Sequence, residues 1–169
     1  RAGRRLSALF GRPGGEAVLV TAVLADDREG KLGLLSAEVG ASYPALSAEA
    51  PAAQGFEREL AEQWGIRPEG HPWLKPLRFE PPRRPGPDPF GRKAPRAILP
   101  GEYPFFAVEG EEVHEVAVGP VHAGIIEPGH FRFQCHGEQV FHLEIVLGYQ
   151  HRGVEAALSG GPDRRSLAL

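Results

Sequence analysis

The chain has 169 residues, with 19 Lys and Arg against 22 Asp and Glu, so its formal net charge is −3. This near balance excludes a generally basic nucleic-acid binder. The 22 glycines and 17 prolines make about 23% of the chain, against an average of roughly 12%, which predicts a loop-rich fold. The single cysteine, Cys135, excludes an intrachain disulfide and a structural zinc site built from several cysteines.

The first predicted element is a β-hairpin. The stretch from Val18 to Ala25 is apolar and rich in β-branched residues, and a polar turn at 26–30 follows it. A second extended stretch then runs from Lys31 to Val39. Two such stretches around a short turn that contains glycine are typical of antiparallel strands.

The clearest helix is predicted from Ala52 to Trp64. Phe56, Leu60 and Trp64 recur every four residues, so they lie on one face, which we expect to point inward. The charged side chains of this stretch then occupy the other faces; they are Glu57, Arg58, Glu59 and Glu62. Gly65 is expected to end the helix.

A proline-rich segment, 81–104, follows. It contains eight prolines and five Arg or Lys in 24 residues, a composition that does not form a core. We interpret it as a linker, or as an extended arm that lies against another surface. The predicted organisation is therefore a unit at 1–80, the linker at 81–104 and a second unit at 105–169.

The second unit reads as β structure. One strand is predicted from Val113 to Val118, and a hairpin with its turn at 136–138 comes after it. Its apolar phase, expected to face inward, is Phe131, Phe133, Cys135, Phe141, Leu143, Ile145 and Leu147. Its polar phase, which includes His136 and His142, is expected to face solvent. A short helix is predicted from Tyr149 to Leu158.

The loop between these strands carries the most suggestive chemistry. It contains three glycines and two prolines and presents His122, Glu127 and His130. A carboxylate and imidazoles on a sharp turn relay protons or donate hydrogen bonds to a substrate oxygen. The alternative is that glycine and proline shape the turn while the polar groups cap backbone. Cys135 shares the apolar phase, so we expect a small buried hydrophobe.

A metal site is not expected in this chain. The histidines at 122, 130, 136 and 142 lack the spacing of a zinc-binding helix, and no CxxC pair accompanies them. A small zinc enzyme that uses the hairpin histidines is kept as a minor alternative.

Two sets of motifs resemble known families. Residues 56–66 (FERELAEQWGI) and 69–72 (EGHP) resemble a signature of the 30-kDa-type subunit of respiratory complex I. Residues 119–122 (GPVH), 127–132 (EPGHFR) and 149–155 (YQHRGVE) resemble the start of a second family. That family comprises the 49-kDa-type subunit of complex I and the large subunits of membrane-bound nickel–iron hydrogenases. The fusion of both in one chain is similar to the large subunit of formate hydrogenlyase and hydrogenase-4 type complexes.

The resemblance implies roles for the loop residues. Glu127 matches a glutamate thought to pass protons, His122 matches a histidine that borders the quinone cavity, and His130 lies in the same cavity-lining segment. The nickel–iron ligands of the family are two CxxC pairs, which this chain lacks. We therefore expect no cofactor in this stretch, and a nickel–iron centre or a quinone in the whole protein, of which the chain is expected to be the N-terminal part.

The resulting hypothesis is an α+β fragment with mostly antiparallel sheets, two hairpins and one main packed helix. We expect it to come from an electron-transfer subunit of a membrane-attached NADH:quinone oxidoreductase or group 4 nickel–iron hydrogenase-like complex. Such a protein couples electron transfer to proton transfer, lies peripherally on the cytoplasmic side and contacts other subunits of the complex. The chain alone is expected to be inactive. The rival hypothesis is a non-catalytic assembly scaffold that has lost the metal centre.

Overall fold

The computed structural model describes residues 3–91, 103–121, 124–125 and 127–158. The chain divides into two compact units, Arg1–Tyr103 and Pro104–Leu169. The described part of the first unit contains a three-stranded antiparallel sheet, a short parallel strand pair and a helix. The described part of the second contains another three-stranded antiparallel sheet and a short helix. This architecture confirms the predicted α+β fold class.

The first sheet has the strand order β1-β2-β3, and a separate parallel pair joins β4 to β5. The elements are β1 Arg4–Gly14, β2 Ala17–Asp26, β3 Lys31–Val39, β4 Ser42–Pro44, α1 Gln54–Trp64 and β5 Arg67–Glu69. Strands β2 and β3 form the predicted hairpin, with continuous pairing from Asp26↔Lys31 to Val18↔Val39. Strand β1 was not predicted, because its sequence (RRLSALFGRPG) mixes arginine, glycine and proline without strict alternation.

The core of the first unit lies between α1 and one face of this sheet. Its buried members are Leu9, Val18, Leu60, Trp64 and Ile66. The helix approaches the sheet most closely at Gly11, where an added Cβ would lie 2.7 Å from Nε1 of Trp64. Only glycine leaves room for the indole at that point of β1.

The predicted helix is confirmed, with a short 3-10 turn at Pro51–Ala53 ahead of it. Gly65 ends the helix as expected: its φ is +68°, in the left-handed region, and its N–H donates to the carbonyl of Ala61 at 3.0 Å.

Three charged side chains of α1 are buried, although the helical pattern places them on its outward faces. Glu57 is 0% exposed, Glu62 4% and Arg58 5%. The expectation failed because the pattern shows which face carries the apolar stripe and not which irregular segments cover the other faces. These segments are residues 44–47 on one side and 73–79 on the other.

The two buried carboxylates bind backbone N–H groups of those segments. Glu57 accepts from the N–H groups of residues 46 and 47, at 2.7 and 2.9 Å. Glu62 accepts from three successive N–H groups, those of residues 77–79, at 2.6 to 2.9 Å. Burial and the neighbouring Glu57 charge raise the pKa of the Tyr43 hydroxyl. Each buried charge is thus stabilised by several hydrogen bonds.

Arg58 binds the same loop through carbonyl oxygens. Its Nε and Nη2 donate to the carbonyls of residues 75 and 76, both at 2.8 Å. Its guanidinium lies 4.4 Å from the centre of the Trp73 ring, within the range of a cation–π contact. His71 accepts the Trp73 N–H at Nδ1, so its Nε2–H donates to the carbonyl of Gln54. The motif residues 57, 58, 62 and 71 therefore hold the loops around α1.

The first part of the proline-rich segment lies against the first unit. Backbone N–H of Arg83 donates to the Gln63 carbonyl at 2.7 Å, and Arg84 donates to the Glu16 carbonyl at 2.6 Å. Residues 92–102 lie outside the described residues. Residues 83 and 84 are thus bound to the first unit, and both interpretations of 81–104 as a whole stay predictions.

The second unit contains β6 Val113–Val121, β7 Gly129–His136, β8 Gln139–Val146 and α2 Val154–Ala157, with the strand order β6-β7-β8. The predicted hairpin of β7 and β8 is confirmed, with Gly137 at a φ of +55° in its turn. The helix expected from Tyr149 to Leu158 is shorter than predicted, because Gly153 has a φ of +64° and interrupts helical backbone. No helix in the described ranges is long and apolar enough to cross a membrane.

In the second sheet, the burial of the two faces is the reverse of the prediction. The apolar face is open: Val116, Val118, Leu143 and Ile145 are 40–44% exposed. On the polar face, Gln134 and Glu144 are only 2% and 3% exposed. His136 is exposed, as expected, whereas His142 is half-buried. Cys135 is buried, as predicted.

Residues 105–108, here called the strap, cover the polar face. The N–H of Phe106 donates to Glu144 at 2.8 Å, and its carbonyl accepts from the Gln134 side chain at 3.2 Å. The Val108 N–H donates to Oε1 of Gln134 at 3.3 Å. The Phe106 ring packs 4.3 Å from the ring of His142. The strap is thus bound by side chains that alternation alone assigns to solvent.

The three bonds to Glu62 predict a large loss of stability on truncation. We expect Glu62→Ala to lower the free energy of unfolding by about 3 kcal/mol, because three buried N–H groups lose their acceptor. Denaturant unfolding of the 169-residue chain measures this. Glu38→Ala, on the exposed strand β3, is the control and is expected to change stability by about 0.5 kcal/mol or less. Equal effects would show that the 77–79 bonds do not matter.

Candidate functional site

The candidate site lies in the second unit, at the start of β7 and beside Gly119 near the end of β6. Glu127 is exposed, and its Oε1 accepts the backbone N–H of Gly148 at 2.7 Å. Gly148 directly precedes the motif at 149–155. The carboxylate therefore connects two segments that the sequence analysis singled out separately, 127–132 and 149–155.

His130 uses both of its ring nitrogens. Its Nδ1 lies 3.3 Å from the Gly119 carbonyl oxygen, and Nε of Arg132 lies 3.2 Å from its Nε2. An arginine Nε–H can only donate, so Nε2 of His130 must accept. Nδ1 then carries the hydrogen and donates to the carbonyl of Gly119, near the end of β6.

Arg132 is held on several sides. Its guanidinium forms an ion pair with the Glu115 carboxylate on β6, and it lies 4.1 Å from the centre of the Phe105 ring on the strap. The same ring is 5.1 Å from the His130 ring. Because β7 is the central strand, Arg132 is also fixed by backbone pairing on both sides.

Tyr149 brings the last motif to the same cluster. Burial raises the pKa of its hydroxyl, while the nearby positive charge of Arg132 acts in the opposite direction. The structure thus brings His130, Glu115 and Phe105 around Arg132, and His130 also reaches the Gly119 carbonyl. Tyr149 lies within the electrostatic range of Arg132, and Glu127 binds the preceding Gly148.

Two of the three predicted site residues are placed by the structure, and His122 lies outside the described residues. The roles predicted for Glu127 and His130 stay predictions. Sequence reasoning missed Arg132 and Tyr149 as members of the cluster. Both lie inside the quoted motifs, but strand alternation assigned Arg132 to a solvent-facing phase and gave no sign of its partners.

A resident metal does not fit the described part of the chain. It contains no group of three His, Cys, Asp or Glu side chains that could hold a metal ion. Of the hairpin histidines, His136 contacts Glu112 at 2.7 Å and His142 packs on Phe106. Cys135, the single cysteine, is buried. We therefore derive no chemical step through a metal held by these residues.

The bond from Glu127 to Gly148 makes a local prediction. Glu127→Ala should speed hydrogen–deuterium exchange at the Gly148 amide, whereas Glu127→Gln keeps an acceptor oxygen and should slow exchange relative to alanine. Because the carboxylate is exposed, the change in unfolding free energy should be about 1 kcal/mol or less. Glu138→Ala, in the exposed β7–β8 turn, is the control. Equal exchange at Gly148 in all three variants would contradict the bond.

Comparison with known proteins finds relatives over most of the chain, although no family model matches it. Hydrogenase-4 component G of Escherichia coli (strain K12) is 33% identical in an alignment of 122 residues, which covers 67% of this chain and 22% of the relative. Formate hydrogenlyase subunit 5 of the same organism is 33% identical in an alignment of 124 residues, which covers 67% of this chain and 21% of that relative. A carbon monoxide-induced hydrogenase of Rhodospirillum rubrum is 40% identical over 42 residues, 25% of this chain and 12% of the relative.

The chain spans about a fifth of the length of the first two relatives. Their names agree with the hydrogenase side of the resemblance seen in the motifs, and none of the three is named as a complex I protein. Over two thirds of its length, the chain is therefore homologous to hydrogenase-4 component G and formate hydrogenlyase subunit 5.

Proposed function

We propose that the chain is part of the electron-transfer subunit of a group 4 nickel–iron hydrogenase-like complex. The observation that carries this is the 33% identity to two hydrogenase-complex proteins over 67% of the chain. The complex is attached to the membrane, and this subunit lies peripherally on the cytoplasmic side. An NADH:quinone oxidoreductase is the less supported form of the same proposal, because the relatives are hydrogenase proteins.

In this proposal Glu127 takes part in proton transfer coupled to electron transfer. A carboxylate serves as a proton carrier when it can reach both a donor and an acceptor, and an exposed side chain at a loop meets that need. Glu127 is exposed and held at 2.7 Å from the Gly148 N–H, so its position is defined without burying its charge. In this proposal His122 and His130 border the redox cavity of the whole protein.

A nickel–iron centre or a quinone belongs to the whole protein in this proposal. The chain holds one cysteine, which is buried, so the thiolate ligands must come from residues outside it. When bound, such a centre supplies the redox chemistry. The residues described here contribute the loop, its carboxylate and the cluster around Arg132.

Open apolar surfaces support a place among other subunits. The outward face of the second sheet exposes four aliphatic side chains on β6 and β8 by 40–44%. In the first unit, Leu32, Leu34 and Leu35 on the edge strand β3 are 63–71% exposed. Several large apolar side chains exposed on one sheet face are typical of a protein–protein contact site. We propose that other subunits of the complex cover it.

Substitution of Glu127 tests the proton-transfer role. In the assembled complex, Glu127→Gln keeps the size and a hydrogen-bond acceptor but cannot ionise, so we expect turnover to fall by about 100-fold or more with normal assembly. Proton-coupled turnover of the purified complex measures this, with Glu138→Gln as the matched control. Unchanged turnover would remove Glu127 from the mechanism.

Substitution on the open face tests the place of the chain in a complex. Leu143→Glu puts a charge within the apolar face, on the edge strand β8, where desolvation on docking would be costly. We expect the chain to fold with unchanged thermal stability but to be lost from the purified complex. Gln139→Glu adds the same charge at the start of β8 and should assemble normally. Normal incorporation of the Leu143 variant would exclude this face as a contact.

The assembly scaffold remains the second candidate, favoured by the motif residues 57, 58, 62 and 71, all of which bind backbone. The two experiments separate the candidates. A scaffold predicts that Leu143→Glu disrupts assembly while Glu127→Gln has no effect on turnover. If the chain belongs to an electron-transfer subunit, Leu143→Glu should disrupt assembly and Glu127→Gln should lower turnover.

A further inference from the structure

We infer that Arg132 is a positioning residue, which holds His130 in its Nδ1–H tautomer and thereby directs that N–H to the carbonyl of Gly119 near the end of β6. The inference concerns a contact within the second unit, and its consequence for turnover rests on the proposed function. Neither the motifs nor the comparisons assign a role to this arginine.

The first step is that the guanidinium is immobilised before it meets the imidazole. Glu115 binds one end of it, and the Phe105 ring covers its face at 4.1 Å. The Arg132 side chain is only 22% exposed. Gln134 also binds Glu115, at 2.7 Å, which holds that carboxylate in place. The Nε–H of Arg132 is thereby directed at Nε2 of His130.

The second step is the tautomer. Arginine stays protonated in proteins, so its Nε–H is a permanent donor and His130 Nε2 must offer a lone pair. The hydrogen of the neutral ring is then on Nδ1, where it reaches the Gly119 carbonyl at 3.3 Å. Free imidazole side chains prefer the opposite tautomer, with the hydrogen on Nε2. The contact with Arg132 therefore favours the Nδ1–H form, as does the Gly119 carbonyl, which can only accept.

The third step is the effect on the end of β6. Gly119 lies where the β6–β7 pairing shifts register, between Val118 and Val121, and its φ is +104°. The hydrogen bond from His130 holds the carbonyl of this glycine. With both nitrogens engaged, His130 links this irregular part of β6 to β7, and a proton relay through Nε2 would require the Arg132 contact to break.

The tautomer is measurable in the 169-residue chain by long-range ¹H–¹⁵N correlation spectroscopy of the histidine rings at alkaline pH. We expect a protonated Nδ1 and an unprotonated Nε2 for His130, assigned by loss of its signals in His130→Gln. Arg132→Met removes the donor at similar length and should move His130 toward the Nε2–H form. Glu112→Gln, which perturbs His136 instead, is the control and should leave His130 unchanged.

Either of two results overturns the inference: an Nε2–H tautomer in the unsubstituted chain, which requires no variant to fold, or an unaltered tautomer in folded Arg132→Met. Phe105→Leu keeps the hydrogen bond and should keep the tautomer. The spectroscopic result stands whether or not Glu127→Gln affects turnover, so the two proposals fail separately.

Discussion

The fold of the first unit depends on three charged side chains buried on one helix. An unpaired buried charge costs several kcal/mol. Because Glu57, Arg58 and Glu62 are buried, each of their side-chain oxygens and N–H groups needs a hydrogen-bond partner. The loops at 44–47 and 73–79 supply those partners from their backbone. The dependence is mutual, because the backbone N–H and carbonyl groups of loops that are not paired as strands also need hydrogen-bond partners. A chain with about 23% glycine and proline requires such an arrangement.

The second unit applies the same principle to a sheet. Gln134 and Glu144 are buried because the strap at 105–108 needs acceptors and donors for its backbone, and strand side chains provide them. The face that is covered is thus the polar one, held by hydrogen bonds. The apolar face is left exposed, so any contacts made there would be apolar. This division explains how a three-stranded sheet binds its own strap on one side and exposes aliphatic side chains on the other.

The sequence predicted the elements better than their surroundings. Apolar spacing located α1 and both hairpins, because period and turn chemistry are local properties. The pattern did not reveal β1, whose arginines, glycines and proline obscure alternation. It also led to the wrong prediction of which face of the second sheet is buried. Alternation distinguishes two faces but does not say which one another segment covers. The strap at 105–108 has no pattern of its own, so its binding to Gln134 was not foreseeable.

The candidate site was predictable to the same extent. Glu127 and His130 were found through the motifs that contain them, whereas the importance of Arg132 depends on contacts that converge from separate parts of the unit. These are Glu115 on β6, Phe105 on the strap and the electrostatic neighbour Tyr149. An arginine that meets a carboxylate, an aromatic ring and an imidazole at once is fixed by the tertiary fold, and no linear spacing encodes that. The contact at Gly119 in β6 is therefore linked, through Arg132 and His130, to Phe105 on the strap.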